Sequence, residues 1–381
     1  MRGHVTKQQP LFLMLDVEAM VPADHPLRPI KRRCDTILAA MRRDFNAAYS
    51  RMGRPSVPPE QMLKALVLQA LYSIPSETKL MEHIRFNLLY RWFLDLPGDA
   101  EVWTPEAFSM NRERFAKYRL VEKFFDRVVA EAITEDLASA EHFTVDGTLI
   151  QSWASLKSLE PRTDEADRPQ RQDDDPGNPN VDFRGQKRSN QTHVSRTDPE
   201  ALLARKGKGK EALLCHSGHV LMENRHGLVL AAAVDAADGT AERRSAKGML
   251  AHVKQRHGLT PETIGMDTGY DDGAFLAELE SEQEVVPHVP IRRGKIVATD
   301  AAGQARRRAR RRQRSQGYRL SQWIRKRVEE IFGWMKTVAG LARTRFVGRW
   351  KILQELLVAG AAYNLVRLVR LKGPPEPQAV A

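Results

Sequence analysis

The 381-residue sequence predicts a mixed α/β protein, in which an all-helical unit over residues 1–140 precedes a sheet with helices packed on it over 141–372. Apolar residues recur at helical spacing through the first 140 residues, and at residue 143 the period drops to the alternation of a strand. Further strand-like segments then follow, separated by helical stretches.

In the helical unit, Met62, Leu63, Leu66, Val67 and Ala70 share one face, and Pro59 sits where a first-turn proline is tolerated. A second helix starts at Ser76, an N-cap with Lys79 three residues on. A third covers 104–116, with Thr104 capping and Pro105 in the first helical position. Residues 118–139 continue the pattern through Val121, Phe124, Phe125, Val128, Val129 and Ile133. Such a cluster serves DNA binding, dimerisation or both.

From 143 the segments FTVDGTLI, GLVLAAAV (227–234), TIGMD (263–267) and EVVPHVP (284–290) read as strands, with helices at 240–256 and 272–282. A polar insertion spans about 157–212, and its stretch 161–180 has almost no apolar side chain and reads as mobile. The insertion turns basic at Lys187 and Arg188 and again at Lys208 and Lys210, where alternating glycines leave backbone amides able to approach phosphates. Residues 373–381 read as a flexible tail.

Net charge is +12 with a pI near 9.8, which favours a polyanionic partner such as nucleic acid. No run reaches the roughly 18 apolar residues of a membrane helix. The best candidate, LLVAGAAYNLV over 356–366, is bounded by Glu355 and Arg367. With no apolar leader at the start and only Cys34 and Cys215, the chain reads as cytoplasmic. The charge is concentrated: residues 290–350 hold 18 Lys+Arg against Asp300, Glu329 and Glu330, a local net of +15. That field suits phosphate binding with counterion release, although the RRRARRRQR run alone also fits a solvated loop over 298–317.

Asp146 falls near the end of a hydrophobic strand with Gly147 directly after it, and Asp267 closes another ahead of Gly269. Either alone fits a turn former, but two in one domain, on adjacent parallel strands, would share one edge of the sheet. A third carboxylate comes from a helix over 322–340, where Arg325, Glu329 and Lys336 lie on one stripe beside the apolar Ile324, Val328, Ile331 and Met335. That stripe also fits a surface ion-pair row, and Glu330 points about 100° away. Three carboxylates without a Cys/His cluster suit hard ions, Mg²⁺ or Mn²⁺, and two such ions serve in-line displacement at phosphorus. Arg325 and Lys336 would then contact phosphates, with Arg327 and the basic residues of the insertion as further DNA contacts. Cys215, His216 and His219 lack a fourth zinc ligand and read as the polar start of a strand, and GKGK lacks the spacing of an ATP loop. His25 reads as structural or as a surface contact.

The segments TVDGTLIQSWASLKS, DFRGQKRSNQTHVSRTDPEA, GKGKEALLCHSGHVLMENRHGLVL, MDTGYDD and RKRVEEIFGWMKT resemble the insertion sequence 5 family of bacterial DDE transposases. PADHPLRPI and FSMNRERF are similar to the helical domain those enzymes carry first. The resemblance implies a ribonuclease-H-like catalytic domain, Mg²⁺-dependent strand cleavage and strand transfer, terminal inverted repeats and target DNA as partners, and at least a dimer on DNA. It places the family's acidic triad, as metal ligands, on Asp146, Asp267 and Glu329, and its arginine and lysine on Arg325 and Lys336. Gln322 stands where the family has tyrosine, and Thr268 where a basic residue is common. A nuclease without strand transfer and a host-adopted DNA-binding protein are the alternatives.

Overall fold

The computed structural model describes residues 16–50, 52, 56–162, 188–205 and 210–373. The helical half contains α1 (Val17–Met20), α2 (Leu27–Ala40), α3 (Arg42–Ala48), α4 (Pro59–Leu71), α5 (Glu77–Phe86), α6 (Leu88–Phe93), α7 (Pro105–Lys117) and α8 (Leu120–Thr134). The strands of the second half are β1 (His142–Gln151), β2 (Leu159–Pro161), β3 (His193–Ser195), β4 (Leu202–Ala204), β5 (Leu213–Glu223), β6 (Leu228–Ala236), β7 (Thr263–Gly265) and β8 (Val286–His288). Its helices are α9 (Ala241–His257), α10 (Gly273–Ser281), α11 (Ala301–Arg312), α12 (Gln316–Ile324), α13 (Arg327–Thr337) and α14 (Arg349–Lys372).

Local chemistry sets the helix starts. Ser76 Oγ accepts the Lys79 N–H at 3.1 Å to open α5, and Thr104 Oγ1 accepts the Ala107 N–H at 3.3 Å ahead of Pro105 in α7. His25 is structural: its Nδ1 accepts the Leu27 N–H at 3.2 Å at the start of α2. The α4 face is buried as its spacing requires. Helix α8 stops at Thr134, short of the expected 139, where Asp136 takes a left-handed turn with φ 56°.

The main sheet runs β4-β5-β1-β7-β8, and β6 shares the outer edge of β5 with β4. β6, β5 and β1 are antiparallel, whereas β1, β7 and β8 are parallel. Helix α9 covers the sheet along β6 and β5, and α14 packs on β6 and also on α8 and α4. The two halves therefore share one continuous apolar core, with α14 as its axis.

By length and composition α14 is able to cross a membrane, with a mean hydropathy of 1.4, more than the run of 356–366 suggests. Here that apolar surface is core: Leu356, Leu357, Ala361, Ala362, Leu365 and Leu368 are all buried. Asn364 locks the helix to the sheet. Its Oδ1 accepts the Val229 N–H at 2.9 Å and its Nδ2 donates to the Val229 carbonyl at 2.7 Å, beside the register slip between β5 and β6. Asn364→Ala strands both buried backbone groups, each worth about 1–3 kcal/mol. We expect a loss of roughly 3 kcal/mol in urea unfolding; a loss below about 1 kcal/mol would show that these bonds are replaceable.

The arginine run is a helix, α11, and not a solvated loop. Acidic side chains of the neighbouring segment hold it: Arg306 pairs with both oxygens of Asp271 at 2.8 Å, while Arg308 and Arg312 reach Glu280 at 2.8 and 2.6 Å. Three of the eighteen basic residues counted over 290–350 are thus paired within the fold. The mobile stretch expected over 161–180 lies mostly outside the described residues, as does nearly all of the 373–381 tail.

Candidate active site

The parallel pairing of β1 with β7 spans only His142–Thr144 against Thr263–Gly265, with Thr144 opposite Gly265. Asp146 and Asp267 each stand two residues further along, so this register brings both carboxylates to one level beyond the end of β7. Asp146 does not close its strand as its glycine neighbour suggests. It is the fifth residue of ten, because antiparallel pairing with β5 carries β1 on to Gln151. Asp267 lies past its strand, and its Oδ1 accepts the Gly269 N–H at 2.7 Å, capping a short 3₁₀ turn over Thr268–Tyr270.

The single helix expected over 322–340 is two, α12 and α13, broken at Arg325 and Lys326. The break changes how Arg325 is used. It caps α12, and its Nη1 donates to Asp146 Oδ2 at 3.0 Å, while Asp146 Oδ1 accepts the Gly147 N–H at 2.8 Å. Glu329 falls in the first turn of α13, close enough to act on the Asp146 carboxyl, whereas Glu330 acts on Tyr363 of α14. Gln322 is a brace: its Nε2 donates to the carbonyls of Met266 and His288 at 3.2 and 2.8 Å, tying the ends of β7 and β8 together beside Asp267.

A fourth carboxylate, Glu242, belongs to the same group. It lies in the first turn of α9, where a helix N-terminus favours an anion, and it is partly buried. A Cβ built on Gly269 would stand 2.5 Å from Glu242 Oε2 and 3.0 Å from Asp267 Oδ1, so the glycine marks the point where these two side chains converge. The sequence carries no distinguishing signal for Glu242, since an acidic residue in a first helical turn is ordinary. Only the path of α9 across the sheet delivers it.

Electrostatics agree with the geometry. Burial raises the pKa of Asp146; the Gly147 N–H and Arg325 oppose the rise, and Asp267 and Glu329 add to it. Burial likewise raises Glu242, with Asp267 and Asp146 pushing the same way. Tyr270 is fully buried, its hydroxyl has no hydrogen-bond partner among the described residues, and burial together with Glu242, Asp146 and Asp267 holds its pKa well above the usual value. Crowded carboxylates with one arginine among them are short of positive charge. An all-oxygen donor set of this kind fits hard divalent cations.

A cleft of about 740 Å³ adjoins this cluster, sharing Gly147 and Glu242 with it and lined also by Arg205, Lys210 and Lys336. Of the other basic candidates, Arg327 donates to the Asn224 carbonyl at 3.2 Å beyond the end of β5, and Arg188 donates to the Leu156 carbonyl at 3.3 Å. Lys187 and Lys208 lie outside the described residues.

Comparison with known proteins places two family matches along the chain. Residues 15–114 match the Transposase domain (DUF772), and residues 191–365 match the Transposase DDE domain. Asp267, Glu242 and Glu329 fall inside the second match, while Asp146 lies between the two. No curated protein matches the chain. Among solved structures, a piggyBac transposase synaptic complex with hairpin DNA is similar at 10% identity and a TM-score of 0.38, covering 90% of this chain and 74% of that one. A ribonuclease-H-like fold is the architecture of the matched domain, and the antiparallel β6-β5-β1 and parallel β1-β7-β8 pairings follow it. With the helical transposase domain in front and the DDE domain behind it, this protein belongs to the DDE transposases, enzymes that process DNA with divalent metal ions.

Proposed function

We propose that this transposase, of the insertion sequence 5 type, cleaves DNA at the terminal inverted repeats of its own element and joins the freed ends to target DNA in the bacterial cytoplasm. The convergence of Asp146, Asp267 and Glu329, with Glu242 beside them, carries this reading. In it, these carboxylates hold two Mg²⁺ ions, for which Mn²⁺ substitutes. When bound, the ions supply activation of the attacking oxygen and stabilisation of the leaving one.

The chain's own groups position the strand. Arg325 is anchored on Asp146 at 3.0 Å and presents its remaining donors toward a phosphate of the scissile strand. Lys336, Lys210 and Arg205 line the adjoining cleft and attract the backbone on either side of the cut. Gln322, at the position where the family has tyrosine, braces the ends of β7 and β8 by its two amide hydrogen bonds. Acting on two ends calls for two active sites, hence a homodimer or higher oligomer on DNA.

The test is incubation of purified full-length protein with Mg²⁺ and a duplex carrying one element end, plus a supercoiled target. Nicking at the repeat boundary with joined product is the expected result. Nicking without joined product would leave a nuclease, and no nicking with retained end binding would leave a DNA-binding protein.

A further inference from the structure

A second group of ligand-type side chains lies away from the carboxylates, where α8 of the helical half meets the last turns of α9. Asp126 of α8 is buried, and its Oδ1 faces two imidazoles: His252 Nε2 at 2.9 Å and His257 Nε2 at 3.7 Å. The three ligand atoms lie within 4.8 Å of one another, and the two rings meet edge to face with centroids 6.2 Å apart.

An ion-pair account explains part of this group and leaves a remainder. Arg256 Nε donates to Asp126 Oδ2 at 3.0 Å and His252 bonds Oδ1, so the carboxylate already has its partners. The His257 side chain is only 3% exposed, yet its Nε2, aimed at the same oxygen, has no hydrogen-bond partner among the described residues. A buried imidazole nitrogen left unpaired is costly unless something else occupies it.

A tetrahedral ion with nitrogen and oxygen ligands at about 2.1 Å holds them about 3.4 Å apart, between the two separations seen here. Two imidazoles and one carboxylate favour a borderline-soft transition ion over Mg²⁺. The outer groups also suit it. Glu122 Oε1 stands 3.9 Å from His252 Nδ1, and Arg256 holds the second oxygen of Asp126, as groups behind metal ligands commonly do.

We propose that Asp126, His252 and His257 bind one zinc-class ion, with water as the fourth ligand, and that this ion pins α8 of the helical half to α9 of the catalytic half. The site is separate from the carboxylate cluster and does not depend on how that cluster works.

The experiment uses the full-length Asp146→Asn/Asp267→Asn protein, which weakens binding at the carboxylates, stripped with chelator and titrated with Co²⁺ alone. Visible absorption of tetrahedral Co²⁺ should saturate at one ion per chain, persist in excess Mg²⁺ and vanish on adding Zn²⁺. His257→Gln should lose the band, and Zn²⁺ should raise the melting temperature of the parent but not of this variant. Absence of the band in the parent protein overturns the proposal without reference to any variant's folding. So does displacement by Mg²⁺, or a band that survives in a folded His252→Gln/His257→Gln protein.

Discussion

Asp146→Asn, Asp267→Asn and Glu329→Gln each lower Mg²⁺-dependent cleavage of element-end DNA by roughly 10³-fold while leaving end binding nearly intact. That scale follows from losing a pre-organised charge contact at the reacting centre, which acts on the transition state and not on the bound duplex. Glu330→Gln is the control, because its carboxylate acts on Tyr363 of α14. Normal cleavage by Glu329→Gln with failure of Glu330→Gln would reverse the assignment on α13. Asp146→Asn carries a second signature. A carboxyl whose folded pKa is raised contributes stability below its unfolded pKa and loses it as pH rises through the folded value. At neutral pH the ionised, metal-free cluster therefore costs stability, and in chelator at pH 7.5 Asp146→Asn should melt above the parent. Melting at or below the parent temperature would count against like-charge crowding at Asp146.

Gly269→Ala lowers cleavage by about 10²-fold, the penalty for moving a catalytic group by about 1 Å. Gly269 does not occupy the left-handed region, so alanine is free to adopt its backbone and the effect is purely one of space. The added methyl would lie 2.5 Å from Glu242 Oε2 and 3.0 Å from Asp267 Oδ1, and one of the two must move. Glu242→Gln separates the two possibilities. As a metal ligand it raises the Mg²⁺ concentration needed for half-maximal cleavage; as a mere neighbour it leaves that concentration unchanged. A Gly269→Ala enzyme with the parent rate would mean that the convergence of Glu242 with Asp267 has no part in the reaction.

How much of this is legible from residues alone depends on the range of the interaction. The caps at Ser76 and Thr104, the buried face of α4 and the change of period at 143 are written in neighbours a few positions apart, and the fold follows them. Asp146 and Asp267 stand out for the same reason, each an acid at a hydrophobic segment with a glycine one or two residues on. The sheet centre was not legible in this way. β5 alternates badly and carries His216 and His219, both without exposure, and only as a polar beginning did it resemble a strand. Asp198, eighteen residues before His216, accepts from its Nε2 at 2.8 Å and from Ser152 Oγ at 2.7 Å, and so makes the burial of His216 tolerable.

The sequence by itself determined the helical half, the presence of a sheet with helices after it and the carboxylates worth testing. Tertiary structure decided the rest: that the arginine run is a helix held by Asp271 and Glu280, that the 322–340 segment breaks at Arg325, and that Glu242 joins the aspartates. In each case the deciding partner is distant in the chain. Local periodicity reports which face of a segment is apolar, whereas a charge's partner, and with it the choice between surface and site, depends on which distant segment the fold lays against it.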